Sequence, residues 1–143
     1  MPVCLAIAQT LIAFLPTNTF TLAWTHSAEK TSWREDWAVV AGQLMPTQAA
    51  IEGSGAGMDP PPGAELVDGE WRYTPTTPPM PRLVLANSSF TDDYEICWNN
   101  VCRMLATLNP RGVNGPLEIY PCDEGDRAAS DGDLPAIHEE KSR

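Results

Sequence analysis

A chain of 143 residues is long enough to bury one real core and too short for two ordinary domains. Its 14 prolines and 10 glycines exclude an architecture of long helices, and an apolar fraction of 43% excludes wholesale disorder. The net charge of −10, with an isoelectric point near 4.4, excludes nucleic acid and anionic membrane surfaces as ordinary partners, because both repel an acidic surface.

Apolar and polar residues alternate with period two along most of the chain, and no long amphipathic helical pattern interrupts them. Val3 to Leu15 reads as two short strands, 3–8 and 11–15. The segment is also apolar enough for the core of a signal peptide, but no basic leader precedes it and no small-residue cleavage site follows. Gln9 and Thr10 interrupt it well short of a membrane span. Strand 19–26 sets Phe20, Leu22, Trp24 and His26 on one face, against Thr21, Ala23 and Thr25 on the other. Strands 35–41 and 43–51 follow, separated at Gly42. The stretch 53–63, rich in glycine and ending in a proline run, reads as a shaped loop.

Strands 64–67 and 70–74 come next, joined through Asp68-Gly69 as a tight hairpin. Then come 82–87, 93–98, 101–106 and 117–121, with Asn99-Asn100 closing a second hairpin. This pattern predicts one all-β domain over residues 3–122, an antiparallel sandwich or small barrel with little helix. From Asp123 onward seven acids outnumber three bases and large apolar side chains are few. That tail, 123–143, is predicted to be disordered.

Four cysteines are present: Cys4, Cys97, Cys102 and Cys122. A two-residue Asn99-Asn100 loop sets Cys97 opposite Cys102 in a non-hydrogen-bonded pair, with α-carbons about 4.5 Å apart. That approach suits a disulfide. Cys4 and Cys122 remain, one on the first strand and one after the last. If they bond, they tie the two ends of the domain together, for a stabilisation of about 4–5 kcal/mol by the loop-entropy model. Free thiols and a zinc site built on Cys97, Cys102 and a nearby His26 are the rival readings, although no short paired-ligand spacing supports the metal. Disulfides imply an oxidising compartment, hence the periplasm or cell envelope.

The densest polar cluster follows strand 19–26. His26, Ser27, Glu29, Lys30, Arg34, Glu35 and Asp36 fall within eleven residues. One reading is a polar pocket at the strand end that binds a small anion or a partner, with Gly53, Ser54, Gly55 and Gly57 offering backbone N–H groups. The other is a salt-bridged turn, with His26 donating to Glu29 or Glu35. The pattern predicts strands on either side of a 25–34 connection, paired so that His26 and Glu35 meet near it. His26 and Ser27 are not a catalytic dyad, because neighbouring strand residues point to opposite faces. The glycine loop is neither a Walker loop nor a dinucleotide fingerprint, so no cofactor and no catalytic residue is assigned. Trp24, Trp33, Trp37, Trp71 and Trp98 read first as core and rim, and second as an aromatic cleft.

Thr25-His26-Ser27-Ala28-Glu29-Lys30-Thr31 with Trp33 and Glu35, then Gly53 to Met58 with the prolines, resembles the bacterial family known as domain of unknown function 1850. Trp71-Arg72-Tyr73 and Cys97 to Cys102 carry the same resemblance, which extends over about residues 3–122. Ala28 stands where the family pattern has valine. Many members of that family are encoded beside membrane subunits of tripartite ATP-independent periplasmic transporters, the type that uses a TAXI solute-binding protein. The resemblance therefore implies an accessory or binding module of a carboxylate transporter, with its membrane subunits or solute-binding protein as partners. A small hydrolase using His26 and Glu35 as a proton-transfer pair, and a metal-binding envelope protein, are the alternatives.

Overall fold

The computed structural model describes residues 1–26, 31–52, 61–87 and 94–125. Of these, 58% lie in strands and 6% in helix, which establishes the all-β class. In chain order the strands are β1 (Val3–Ile7), β2 (Thr10–Leu15), β3 (Thr19–His26), β4 (Thr31–Val40) and β5 (Gln43–Glu52). They continue with β6 (Glu65–Val67), β7 (Glu70–Tyr73), β8 (Leu83–Leu85), β9 (Glu95–Trp98) and β10 (Val101–Met104). A single helical turn, α1 (Leu105–Leu108), precedes β11 (Leu117–Pro121).

The strands form two antiparallel sheets, one ordered β2-β1-β11-β8 and the other β10-β9-β3-β4-β5-β7-β6. The two sheets pack as a sandwich and do not close into a barrel. The alternation read from the sequence explains the packing. Val3, Leu5, Ile7, Leu117 and Ile119 from the small sheet meet Phe20, Leu22, Trp37, Leu44 and Ile96 from the large one in a single buried cluster.

Two-residue turns set the hairpins. Asp68-Gly69 and Asn99-Asn100 have both central residues at positive φ, as the right-handed twist of paired strands requires. Ala8-Gln9 adopts the same conformation without glycine or asparagine. There the cost of the left-handed region is offset by β1, which is buried at every position.

Two predicted boundaries are corrected. The strand expected over 35–41 begins at Thr31, because Trp33 and Ser32 pair with Trp24 and Thr25 across a much shorter connection. The strand expected over 101–106 stops at Met104, where Leu105 and Leu108 turn into a helical step that buries both. The predicted tail lies outside the described residues from 126 onward.

Both disulfides are formed. Cys97 bonds Cys102 across the β9–β10 hairpin, with α-carbons 4.0 Å apart. Cys4 bonds Cys122, at a sequence separation of 118. The Cys122 N–H also donates to the Pro2 carbonyl at 2.9 Å, so the last strand is held to the first by backbone as well. The sulfurs are paired with each other, so the free-thiol and zinc readings have no thiolate to use in this state. Two disulfides fit an oxidising compartment. No helix among the described residues is long and apolar enough to cross a membrane.

Candidate functional site

The register of the large sheet builds a row of large apolar residues across four strands, three of them tryptophans. Trp24 on β3 stands opposite Trp33 on β4, Trp33 opposite Ile51 on β5, and Ile51 opposite Trp71 on β7. Residues directly opposite share a face, so this rung lies on the side that carries Leu22 and Phe20 into the core. Trp24 and Trp33 stack with centroids 5.9 Å apart, and Tyr94 meets Trp24 edge-on at 6.1 Å. Trp24 and Tyr94 pack against the core, and Trp33 and Trp71 extend the rung past it. Trp33 Nε1 is buried and has no hydrogen-bond acceptor among the described residues.

The next rung holds a carboxylate. Leu22 stands opposite Glu35, Glu35 opposite Ala49, and Ala49 opposite Tyr73. Glu35 therefore occupies an inward-facing position that alternation reserves for an apolar side chain. Its only hydrogen-bond donor among the described residues is Trp37 Nε1, at 3.1 Å. Burial pushes the Glu35 carboxyl above its ordinary value, and the Trp37 hydrogen bond pulls the other way without restoring it. The Tyr73 hydroxyl is pushed up by burial and then by the negative charge of Glu35. The methyl group of Ala49 leaves room for the two to sense one another. Burial alone raises Tyr94.

On the opposite face of the sheet the charges are paired. Glu70 accepts from Arg34 at 3.0 Å and from Arg72 at 3.2 Å, which holds its carboxyl below the ordinary range. Thr21 donates to Asp36 at 2.8 Å.

Of the residues singled out in the sequence, Glu35 and His26 are placed. The predicted antiparallel pairing of their strands is present, but the register corrects their proximity. His26 stands opposite Thr31 and Glu35 opposite Leu22, so their backbones are separated by four positions, roughly 13 Å along the strands. Ser27, Glu29, Lys30, Gly53, Ser54, Gly55 and Gly57 lie outside the described residues. Their points of departure do come together. β3 ends at His26, β4 begins at Thr31, and β5 ends at Glu52, with Trp33 opposite Ile51. The 27–30 and 53–60 segments thus leave the sheet at the end that carries the tryptophan rung.

The sequence reading put Glu35 and Trp37 on one strand face but left Trp33 off it, and so missed the full Trp33–Glu35–Trp37 stripe. The signal was available: a strand begun at Thr31 puts Thr31, Trp33, Glu35, Trp37 and Val39 on one face, with a single acid among them. Starting the strand at 35 concealed it.

A comparison with protein families matches residues 20–105 to the domain of unknown function DUF1850. No curated protein and no solved structure matches the chain. The family match runs from the second residue of β3 through β10, and so includes the strands that build both rungs. Because it spans more than half of the 143 residues, the protein belongs to the DUF1850 family.

Proposed function

We propose that the protein is a binding module of the cell envelope, in the periplasm, that serves a TAXI-type tripartite ATP-independent transporter of carboxylates. Its site is the tryptophan rung with Glu35 behind it, completed by His26, Ser27, Glu29 and Lys30 and by Gly53, Ser54, Gly55 and Gly57. The membrane subunits or the solute-binding protein of the transporter are its partners.

The observation that carries a binding role is Trp33 Nε1. Among the described residues this buried donor has no acceptor, and a buried donor without one costs about 1–3 kcal/mol. An acceptor on a solute or on a partner side chain would relieve that cost, with Trp24, Trp33 and Trp71 offering flat apolar walls. The half-buried carboxylate one rung away supports the same reading, because it is held in a position where an apolar residue would pack better. The disulfides support the compartment, and the family resemblance supports the transporter.

The hydrolase alternative needs His26 and Glu35 to share a proton, which their separation along the strands works against. The reading is tested by affinity purification of the tagged protein from native membranes, with Trp33→Phe as the control. Wild type should retain the transporter subunits. The variant should lose them while melting at the same temperature or higher, since it removes a buried donor that has no acceptor among the described residues. Equal recovery by both, or by neither, refutes the role assigned to this site.

A further inference from the structure

The outward face of the large sheet carries a second cluster with its own chemistry. In the β9–β10 hairpin Cys97 stands opposite Cys102 and Glu95 opposite Met104. Alternation places all four on one patch, so two sulfurs, a carboxylate and a thioether are neighbours. The Cys97 and Cys102 sulfurs and a Glu95 carboxylate oxygen lie within 4.8 Å of one another. The patch is open. Cys102 is exposed, and the disulfide borders a groove of about 570 Å³ shared with Thr21, Asp36, Asn99 and Asn100. Glu95 and Met104 border an adjoining groove of about 360 Å³.

The two disulfides meet a reductant on different terms. Exchange requires a thiolate to reach a disulfide sulfur. Cys4 and Cys122 are buried, whereas Cys97–Cys102 faces the groove. Opening the hairpin bond also removes far less from the fold than opening the bond between the chain ends would. It joins positions only five residues apart, the Asn99-Asn100 turn already sets the register, and β9 is paired with β3 on its other side.

We propose that Cys97–Cys102 is an exchangeable bond, and that once opened it yields a binding site for a thiophilic d¹⁰ cation, Cu(I) or Zn(II), held by Cys97, Cys102 and Glu95 with Met104 alongside. The reductant is a dithiol. One of its thiolates attacks a cysteine sulfur to form a mixed disulfide, and the second thiolate displaces it. One external dithiol is thereby oxidised to a disulfide by two electrons, and two cysteine thiols form. Metal binding then releases two protons, leaving two thiolates on the ion. Thiolates about 2.3 Å from a tetrahedral ion stand roughly 3.8 Å apart. Cysteines opposite each other on paired strands, with α-carbons 4.0 Å apart, reach that spacing without moving the backbone. A thioether neighbour suits Cu(I) and a carboxylate suits Zn(II). In the oxidised chain the sulfurs are bonded to each other and the site is closed, so binding is gated by redox state.

The test uses the full folded chain. Dithiothreitol under native conditions should expose two alkylatable thiols per chain, mapping to Cys97 and Cys102, with the Cys4–Cys122 bond intact and a cooperative melting transition retained at a midpoint several degrees lower. Zn(II), and separately Cu(I), should then bind at one ion per chain with a thiolate charge-transfer band. The oxidised chain and a Cys97→Ser/Cys102→Ser variant should show neither. Glu95→Gln should weaken binding about tenfold or more. Met104→Leu distinguishes the ions, weakening Cu(I) and sparing Zn(II) if the thioether takes part. Release of four thiols, resistance of all four until unfolding, or equal binding by the serine variant overturns the proposal.

Discussion

Cutting the disulfide between the chain ends should cost this fold far more than cutting the one in the hairpin. Cys4 and Cys122 are separated by 118 positions, and the ring they close constrains the unfolded chain by about 5 kcal/mol at 25 °C in the loop-entropy model. Cys97 and Cys102 are separated by five positions, and the same arithmetic gives about 2 kcal/mol. The perturbation is Cys4→Ala/Cys122→Ala, set beside Cys97→Ala/Cys102→Ala. Alanine is chosen because Cys4 and Cys122 are buried, where a serine hydroxyl would add a desolvation cost of its own. β1 remains paired with β11 in either variant, so the difference reports on the unfolded state rather than on lost docking. For a body of this size each kcal/mol shifts the midpoint by roughly 3–5 °C, so the terminal variant should melt about 15–25 °C lower. Thermal melting by circular dichroism and a urea titration measure it. The urea slope should also steepen, since the unfolded chain without its tether exposes more surface. Equal losses in the two variants, or a terminal loss under about 1 kcal/mol, would refute the loop-entropy reasoning.

Three further outcomes follow from the charges. Burial raises the Glu35 carboxyl above 4.5, so the folded chain holds that proton more tightly than the unfolded one. This contribution is complete below 4.5 and lost as pH rises through the folded value. Glu35→Gln should therefore match wild type near about pH 4 and gain on it toward about pH 8 in a series of melts, and a gap that ignores pH would contradict the burial argument. The same variant should lower the pH at which Tyr73 ionises, read from tyrosinate absorbance, because the Glu35 charge is one of the two causes holding that hydroxyl up. Glu70 has the opposite sign: Arg34 and Arg72 hold it below 4.5, so its contribution is present above 4.5 and lost as pH falls through the folded value. With Arg34 41% and Arg72 40% exposed, each pair is worth at most about 1 kcal/mol. Glu70→Gln should thus lose a small stability at neutral pH, shrinking in about 0.5 M salt and vanishing in acid, and a larger loss that resists salt would show the fork is not screened.

The strand pattern was legible where local chemistry decides it. β3 and β11 have the bounds their alternation dictates, and Asp68-Gly69 and Asn99-Asn100 make turns their residue types prefer. Cys97 opposite Cys102 followed from that turn alone. Ala8-Gln9 carries no such preference, and only the burial of β1 on both faces explains why the chain bends there. The start of β4 was hidden because Thr31 to Arg34 are polar enough to read as a turn, and pairing with Trp24 and Thr25 draws them into the sheet.

The candidate site was harder to see, because it is assembled across strands, and register belongs to the pairing rather than to any one segment. One residue in β5 settles it. Asp36 stands opposite Gln48 and Trp37 opposite Pro46, which leaves Thr47 as an extra residue, its hydroxyl donating to the Asp36 carbonyl at 3.2 Å. That bulge switches the parity of β5. Before it Leu44 and Pro46 face the core, and after it Ala49 and Ile51 do. Without it the inward positions would be Gln48 and Ala50, one more polar group would meet Glu35, and the small residue between Glu35 and Tyr73 would be lost. A one-residue slip reverses every side chain beyond it, so the carboxylate, the tyrosine and the tryptophan rung are brought to one face by the placement of Thr47.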